Sequence, residues 1–273
     1  MGAFPLRTLE LIMCGRFVLF TVDEPLLRDA GFLLGGGDRV ESCPSPRISA
    51  PQGLPPARYN IAPTQAIAAI VPAETTVQTL LEGAPLVADT DAMAAEYYCV
   101  PARWGLLPSW KKDTSPPVLF NARGETVASK PSFRAAFARR RCLIPMDGYY
   151  EWQKKQPYFV HLPAAARPQR LFAAGLYETG LDRLSATIVT TAADTSISWL
   201  HDRMPVMLTA ETAAAWIAGD PATAQTIIDN PPSQLYESLR IRPVGTAVGN
   251  VRNQGAELLA PVPDPRTGHG AAD

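Results

Sequence analysis

Four residues of this sequence carry side chains whose types could do covalent and proton-transfer chemistry together: Cys14, Asn121, Glu151 and His201. Cys14 stands in Met13-Cys14-Gly15-Arg16-Phe17, directly after a methionine. As an internal residue it reads as a buried strand cysteine, the commonest fate of a free thiol. If Met13 is the initiator and is removed, Cys14 instead carries a free α-amine and a thiol on adjacent carbons. Such a 1,2-aminothiol captures aldehydes. The amine forms a Schiff base, and the thiol closes a five-membered thiazolidine. An α-amine ordinarily titrates near about 7.7–8.0, so part of it is already nucleophilic at neutral pH.

Glu151 sits among aromatics in Gly148-Tyr149-Tyr150-Glu151-Trp152. A carboxylate there suits proton transfer; the plainer reading is an edge-strand glutamate facing water. His201, in Trp199-Leu200-His201-Asp202-Arg203-Met204-Pro205, has the most suggestive setting of the three histidines. Beside Asp202 it could equally be structural. Asn121, in Asn121-Ala122-Arg123-Gly124-Glu125-Thr126, could cap a turn or orient a reacting group, with Arg123 on a phosphate.

The elements that must hold these residues are mostly strands. Short apolar, β-prone runs occur at 14–20, 66–71, 97–104, 142–144, 149–152, 158–162, 171–177, 186–191 and 204–208. Helical patterns cover 24–34, 131–141, 211–218 and 222–229. With 27 prolines in 273 residues, long helices cannot dominate. The pattern predicts an α+β protein: one domain on a mostly antiparallel, curved or barrel-like sheet with peripheral helices. The domain is expected over 14–261, with an irregular insertion at about 35–57. Residues 1–13 read as an extra segment or removed leader, and 262–273 as a disordered tail.

Four scattered cysteines with no CxxC pair argue against a zinc site or a disulfide scaffold. No apolar run reaches the roughly 18 residues of a membrane helix. Arg7 and Glu10 interrupt the apolar start, so no export signal is read and a cytoplasmic setting is expected. The net charge of -1 first argues against nucleic acid, but it is unevenly spread. Residues 103–155 hold eleven Lys and Arg against four Asp and Glu, a local +7, which leaves -8 elsewhere. Trp104, Trp110, Phe120, Tyr149, Tyr150 and Trp152 are interleaved with this charge. Cations beside stacking surfaces suit single-stranded nucleic acid. A solvated helix face and core aromatics explain the same residues.

Seven motifs in fixed order carry a resemblance. They lie at 13–17, 58–63 (Arg-Tyr-Asn-Ile-Ala-Pro), 104–110 (Trp-Gly-Leu-Leu-Pro-Ser-Trp), 121–126, 148–152, 201–205 and 248–253 (Val-Gly-Asn-Val-Arg-Asn). The set resembles the SRAP family, the SOS-response-associated peptidases, over about 13–261. The resemblance implies a covalent DNA–protein crosslink at abasic sites in single-stranded DNA. Cys14 would be the attacking N-terminal residue and Glu151 the proton carrier. His201 would sit near the sugar O4′, and Asn121 would position the amine. Arg16, Asn60, Pro63, Trp110, Arg123 and Thr190 would lie at or near DNA contacts. No metal or other cofactor is implied, and a monomer is expected. Lyase and self-processing peptidase activities are also implied. Two alternatives stay open. One is a thiol peptidase with Cys14 as nucleophile and His201 as base. The other is a non-catalytic single-strand DNA-binding module.

Overall fold

The computed structural model describes residues 15–37, 46–74, 77 and 95–266. Two sheets form its frame. The smaller has five strands: β1 (Arg16–Leu19), β3 (Arg58–Ile61), β8 (Gly148–Gln153), β9 (Gln156–His161) and β13 (Arg240–Pro243). Their order across the sheet is β13-β9-β8-β1-β3.

The larger sheet curls on itself. It contains β2 (Ile48–Ser49), β4 (Ala66–Pro72), β5 (Tyr97–Trp104), β7 (Arg141–Met146), β10 (Leu171–Glu178), β11 (Ser185–Ala192) and β12 (Arg203–Pro205). They run in the order β12-β11-β10-β7-β4-β5-β2. A parallel pairing of β11 with β5, Ser185 opposite Arg103, joins the two sides of that path. Strands β5, β4, β7, β10 and β11 therefore form a ring. This is the mixed α+β, barrel-like architecture that the strand pattern predicts. The short β6 (Asn121–Arg123) attaches to β11 in parallel.

Alternation of side chains along each strand divides the five-stranded sheet into two faces. Phe17, Leu19, Tyr149, Tyr158 and Val160 face the ring and join its core, with Ile70, Leu143, Phe172 and Ile188. Val18, Tyr150 and Phe159 face the other way, under Val244, Val248 and Leu258 from the C-terminal segment. Both faces of this sheet are thus covered by apolar groups, and the chain on either side of it is fixed.

Helix α1 spans Glu24–Leu34, as its spacing predicts, with Asp23 before it and Pro25 in its first turn. The helix expected over 131–141 is shorter: α2 spans Arg134–Arg139. Arg141 leaves it to start β7 because its guanidinium is taken up elsewhere. Nε donates to the Trp216 carbonyl at 2.5 Å and Nη1 to that of Phe137 at 2.5 Å, and Nη2 reaches Gly219. Those carbonyls belong to the last turns of α2 and α3 (Ala213–Ala218), where helices leave acceptors unpaired. Helix α4 (Pro221–Asp229) is N-capped by Asp220, whose side chain accepts from Thr223 N–H at 2.7 Å.

The insertion contributes the short β2 near its middle, and residues 38–45 within it lie outside the described residues. The run after 261 begins in contact with the domain: Val262 N–H donates to the Pro243 carbonyl at 3.0 Å.

Candidate active site

Strand register sets Glu151. Strands β1 and β8 pair antiparallel, with Arg16 opposite Tyr150, Phe17 opposite Tyr149 and Val18 opposite Gly148. Glu151 follows Tyr150 on β8, beside the end of β1 at which Arg16 pairs. The carboxylate shares its strand face with Tyr149, the face turned to the ring, and is only 3% exposed. Its cross-strand neighbour on β9 is Tyr158. Glycine is required at 148, because a Cβ there would lie 2.5 Å from the Phe159 ring and 2.6 Å from the Val160 carbonyl oxygen. Cys14 lies outside the described residues.

The start of β6 is tied to β1 through one indole. Phe120, the residue before Asn121, accepts from Trp104 Nε1 at 2.9 Å and meets that ring edge-on at 6.0 Å. Phe17 meets the same indole at 5.0 Å. Within β6, Asn121 lies opposite Ile188 and is half-buried. Arg123 lies opposite Thr190 and is exposed, whereas Thr190 is fully buried.

His201 is the second-last residue of the 194–202 loop between β11 and β12. Asp194 folds this loop by accepting from Ser196 N–H at 2.9 Å and Ser196 Oγ at 2.7 Å. Gln153, two residues after Glu151 on the same face of β8, donates to the Trp199 carbonyl at 2.9 Å. Tyr158 meets the Trp199 ring edge-on at 5.2 Å. The loop is thereby laid against the end of β8 that carries Glu151.

The His201 Nδ1 has two neighbours: Arg203 N–H at 3.0 Å and Asp202 Oδ1 at 2.8 Å. It cannot accept from one and donate to the other at once. The backbone N–H is fixed by β12, while the Asp202 side chain is 86% exposed and well hydrated. A neutral imidazole therefore accepts from Arg203 and keeps its proton on Nε2.

Arg203 was not picked out by sequence reasoning, although it lies within a quoted motif. Its guanidinium forks onto Glu125 through Nη1 and Nη2, and Nη2 also donates to the Thr190 carbonyl at 2.8 Å. This pair holds Glu125 below its ordinary carboxylate range. It joins the 121–126 motif to the 201–205 motif. The sequence signal was opposite charges in two motifs, but their distance apart in the chain hid the pairing.

Arg16 and Asn60 are buried together. Arg16 Nη1 donates to Asn60 Oδ1 at 3.0 Å and to the Val248 carbonyl at 2.6 Å, and Nη2 to that of Gly249 at 3.3 Å. Asn60 Nδ2 faces the carbonyls of Val248, Asn250 and Asn253 at 3.1, 3.0 and 3.0 Å. Burial pulls Arg16 down to about 10, so it keeps its charge at neutral pH. Together they shape the 248–253 motif from below.

Trp110 is 61% exposed. The chain reaches it through Gly105, whose φ of +127° favours glycine. Pro63 is half-buried in the turn before β4, where the next residue, Thr64, donates its N–H to the Trp104 carbonyl at 2.8 Å. The basic stretch divides in two. Arg141 is consumed internally and Arg140 pairs with Glu178 at 2.5 Å. Lys112, Arg123, Lys130, Arg134, Arg139, Lys154 and Lys155 are exposed. The interleaved aromatics divide likewise: Trp104, Tyr149 and Tyr150 are core, and Trp110 is surface.

Residues 13–251 match the family model described as SOS response associated peptidase (SRAP). The chain belongs to the SRAP family. It is 30% identical over 258 residues to the abasic site processing protein YoqW of Bacillus subtilis, covering 90% of this chain and 99% of that one. It is 36% identical over 174 residues to the abasic site processing protein YedK of Escherichia coli, covering 59% and 74%. A solved Bordetella bronchiseptica protein shares the fold at 20% identity, with a TM-score of 0.61 over 85% of this chain and all of that one. The SRAP match takes in β1, β6, β8 and the 194–202 loop, so every element around Glu151 and His201 lies within it. Among the described residues, no helix is long and apolar enough to cross a membrane.

Proposed function

We propose that this protein senses abasic sites in single-stranded DNA and captures them covalently, with Cys14 as its N-terminal residue. The observation that carries the reading is the placement of Glu151. A nearly dry carboxylate follows Tyr150, the register partner of Arg16, at the end of β1 that leads to Cys14. The names of its relatives as abasic site processing proteins support the same chemistry.

The steps balance without a redox partner. The Cys14 amine adds to the C1′ aldehyde of the ring-opened deoxyribose and expels water as the imine forms. The Cys14 sulfur then adds to the imine carbon, and the thiol proton passes to nitrogen, closing the thiazolidine. Glu151 carries protons between amine, hydroxyl and thiol in these steps. His201, with its proton on Nε2, donates towards the sugar O4′ and favours ring opening. Asn121 positions the amine. Arg123 and the exposed lysines track phosphates while Trp110 stacks on a base. Arg16 and Asn60 act by shaping the 248–253 segment, the buried Thr190 backs Arg123 across the β6–β11 pairing, and Pro63 completes the proposed DNA face. No cofactor takes part. The shielded lesion belongs in a cytoplasmic, nucleoid-bound setting, and the protein acts as a monomer.

A free α-amine on Cys14 needs residues 1–13 gone, by initiation at Met13 or by cleavage. The family description names a peptidase, so self-cleavage before Cys14 is the second reading, with Cys14 as nucleophile and His201 as base. Intact-mass measurement over time separates the two.

The test mixes protein beginning at Cys14 with single-stranded DNA bearing one abasic site. A heat-stable shifted band is expected, absent in Cys14→Ala. Glu151→Gln and His201→Ala should form it more slowly. No covalent product with the correct N-terminus sinks the proposal.

A further inference from the structure

The C-terminal end of the described residues reaches back to the loop that carries His201. The guanidinium carbon of Arg266 lies 3.5 Å from the centre of the Trp199 ring and 5.2 Å from that of Tyr158. Asp264 fixes this guanidinium in place. Arg266 Nη2 donates to Asp264 Oδ2 at 2.7 Å, and Nε lies 3.1 Å from each carboxylate oxygen. Arg266 N–H also donates to Oδ1 at 3.0 Å, and Tyr158 Oη donates to the same oxygen at 3.1 Å.

Trp199 is therefore held on three sides: Arg266 on its face, the Tyr158 ring against it edge-on, and Gln153 at its carbonyl. His201 is two residues further on. Tyr158 is the cross-strand neighbour of Glu151, so one clamp touches supports of both residues. The Arg266 side chain is 41% exposed and caps the indole from the solvent side.

We propose that Asp264 and Arg266 are positioning residues for His201, acting through Trp199. This rests on the role given to His201 above. A planar guanidinium locked by a carboxylate makes a rigid lid on the indole, which a lone flexible cation would not. With Trp199 pinned, the 198–202 backbone has few ways to move, and the imidazole is presented at one angle. The clamp persists at all ordinary pH, since Arg266 holds the Asp264 carboxyl down at about 2.

The test compares Arg266→Ala, Asp264→Asn and Arg266→Lys in protein beginning at Cys14, in the parent and in a His201→Ala background. Two readouts are taken. The first is amide hydrogen exchange across 194–205. The second is the crosslinking rate against DNA concentration. Arg266→Ala and Asp264→Asn should speed exchange at 198–202 without a general loss of protection. They should slow the maximal rate about 3- to 10-fold at unchanged half-saturation, with Arg266→Lys recovering part of it. In the His201→Ala background the same changes should slow the rate no further. Equal slowing in both backgrounds overturns the positioning role. Unchanged exchange at 198–202 overturns the clamp whatever the crosslinking rate. A parent protein that forms no crosslink overturns the functional reading and the positioning role with it, while exchange still reports on the clamp.

Discussion

Arg203 grips Glu125 with both terminal nitrogens and takes the Thr190 carbonyl with one of them. One side chain thus fixes the start of β12, the end of β11 and the turn after β6 relative to one another. The backbone N–H of the same residue sets the His201 tautomer. Arg203 organises the candidate site without needing to touch the reacting atoms.

Removing Arg203 should cost more than removing Glu125. Glu125 is half exposed, so its share of the ion pair is worth about 0.2–1 kcal/mol. Arg203→Ala also removes the hydrogen bond to the Thr190 carbonyl, which keeps only Gly124 N–H at 2.8 Å, adding about 0.5–1.5 kcal/mol. Denaturant unfolding of the two single variants and the double variant measures both numbers. Equal costs would contradict this account.

Acid should weaken the same contact. Arg203 lowers the folded-state value of Glu125 below its ordinary 4.5. The stability it supplies is therefore complete above about 4.5 and falls away as pH drops through the lower folded value. Between pH 6 and 3, Glu125→Gln should lose less stability than the parent. Parallel stability–pH curves would rule the linkage out.

Arg16→Ala should unfold the support of the 248–253 segment. It removes three hydrogen bonds from a buried charged donor and leaves Asn60 Oδ1 and the Gly249 carbonyl short of a partner, while the Val248 carbonyl keeps Asn60 Nδ2. A loss of about 2–4 kcal/mol is expected, from one or two stranded acceptors at about 1–3 kcal/mol each. Thermal unfolding checks it, and an unchanged midpoint would mean the network is not holding that segment.

Trp110→Ala should leave stability within about 0.5 kcal/mol, since the ring is mostly in water. Binding to single-stranded DNA should weaken by about 1–3 kcal/mol, roughly 5- to 150-fold. Arg123→Ala should instead flatten the salt dependence, by about 0.7 in the slope of log affinity against log salt. Titrations at several salt concentrations distinguish the two effects.

Gly148→Ala should destabilise by about 1–3 kcal/mol, because the added carbon meets the Phe159 ring and a backbone oxygen that cannot move aside. Calorimetry measures it. A neutral result would mean that β8 and β9 can separate locally.

Local pattern alone determined much of this protein. Alternation and β-branched runs located most strands to within a residue or two, and the helical pattern at 24–34 matches α1. These signals are short-range, since each depends on neighbours one to four residues apart. The seven ordered motifs likewise named the family and nominated Glu151 and His201. What the sequence could not decide was which charges face one another. Arg141 lies in a run of arginines yet ends up among helix carbonyls, while Arg123 stays in water. Trp104 and Trp110 sit six residues apart, one wholly buried and one exposed. Closure of the β5–β11 ring, the Arg203–Glu125 pair and the reach of Arg266 to Trp199 join residues far apart in the chain. Such contacts depend on register and packing between sheets, so only the tertiary structure decides them.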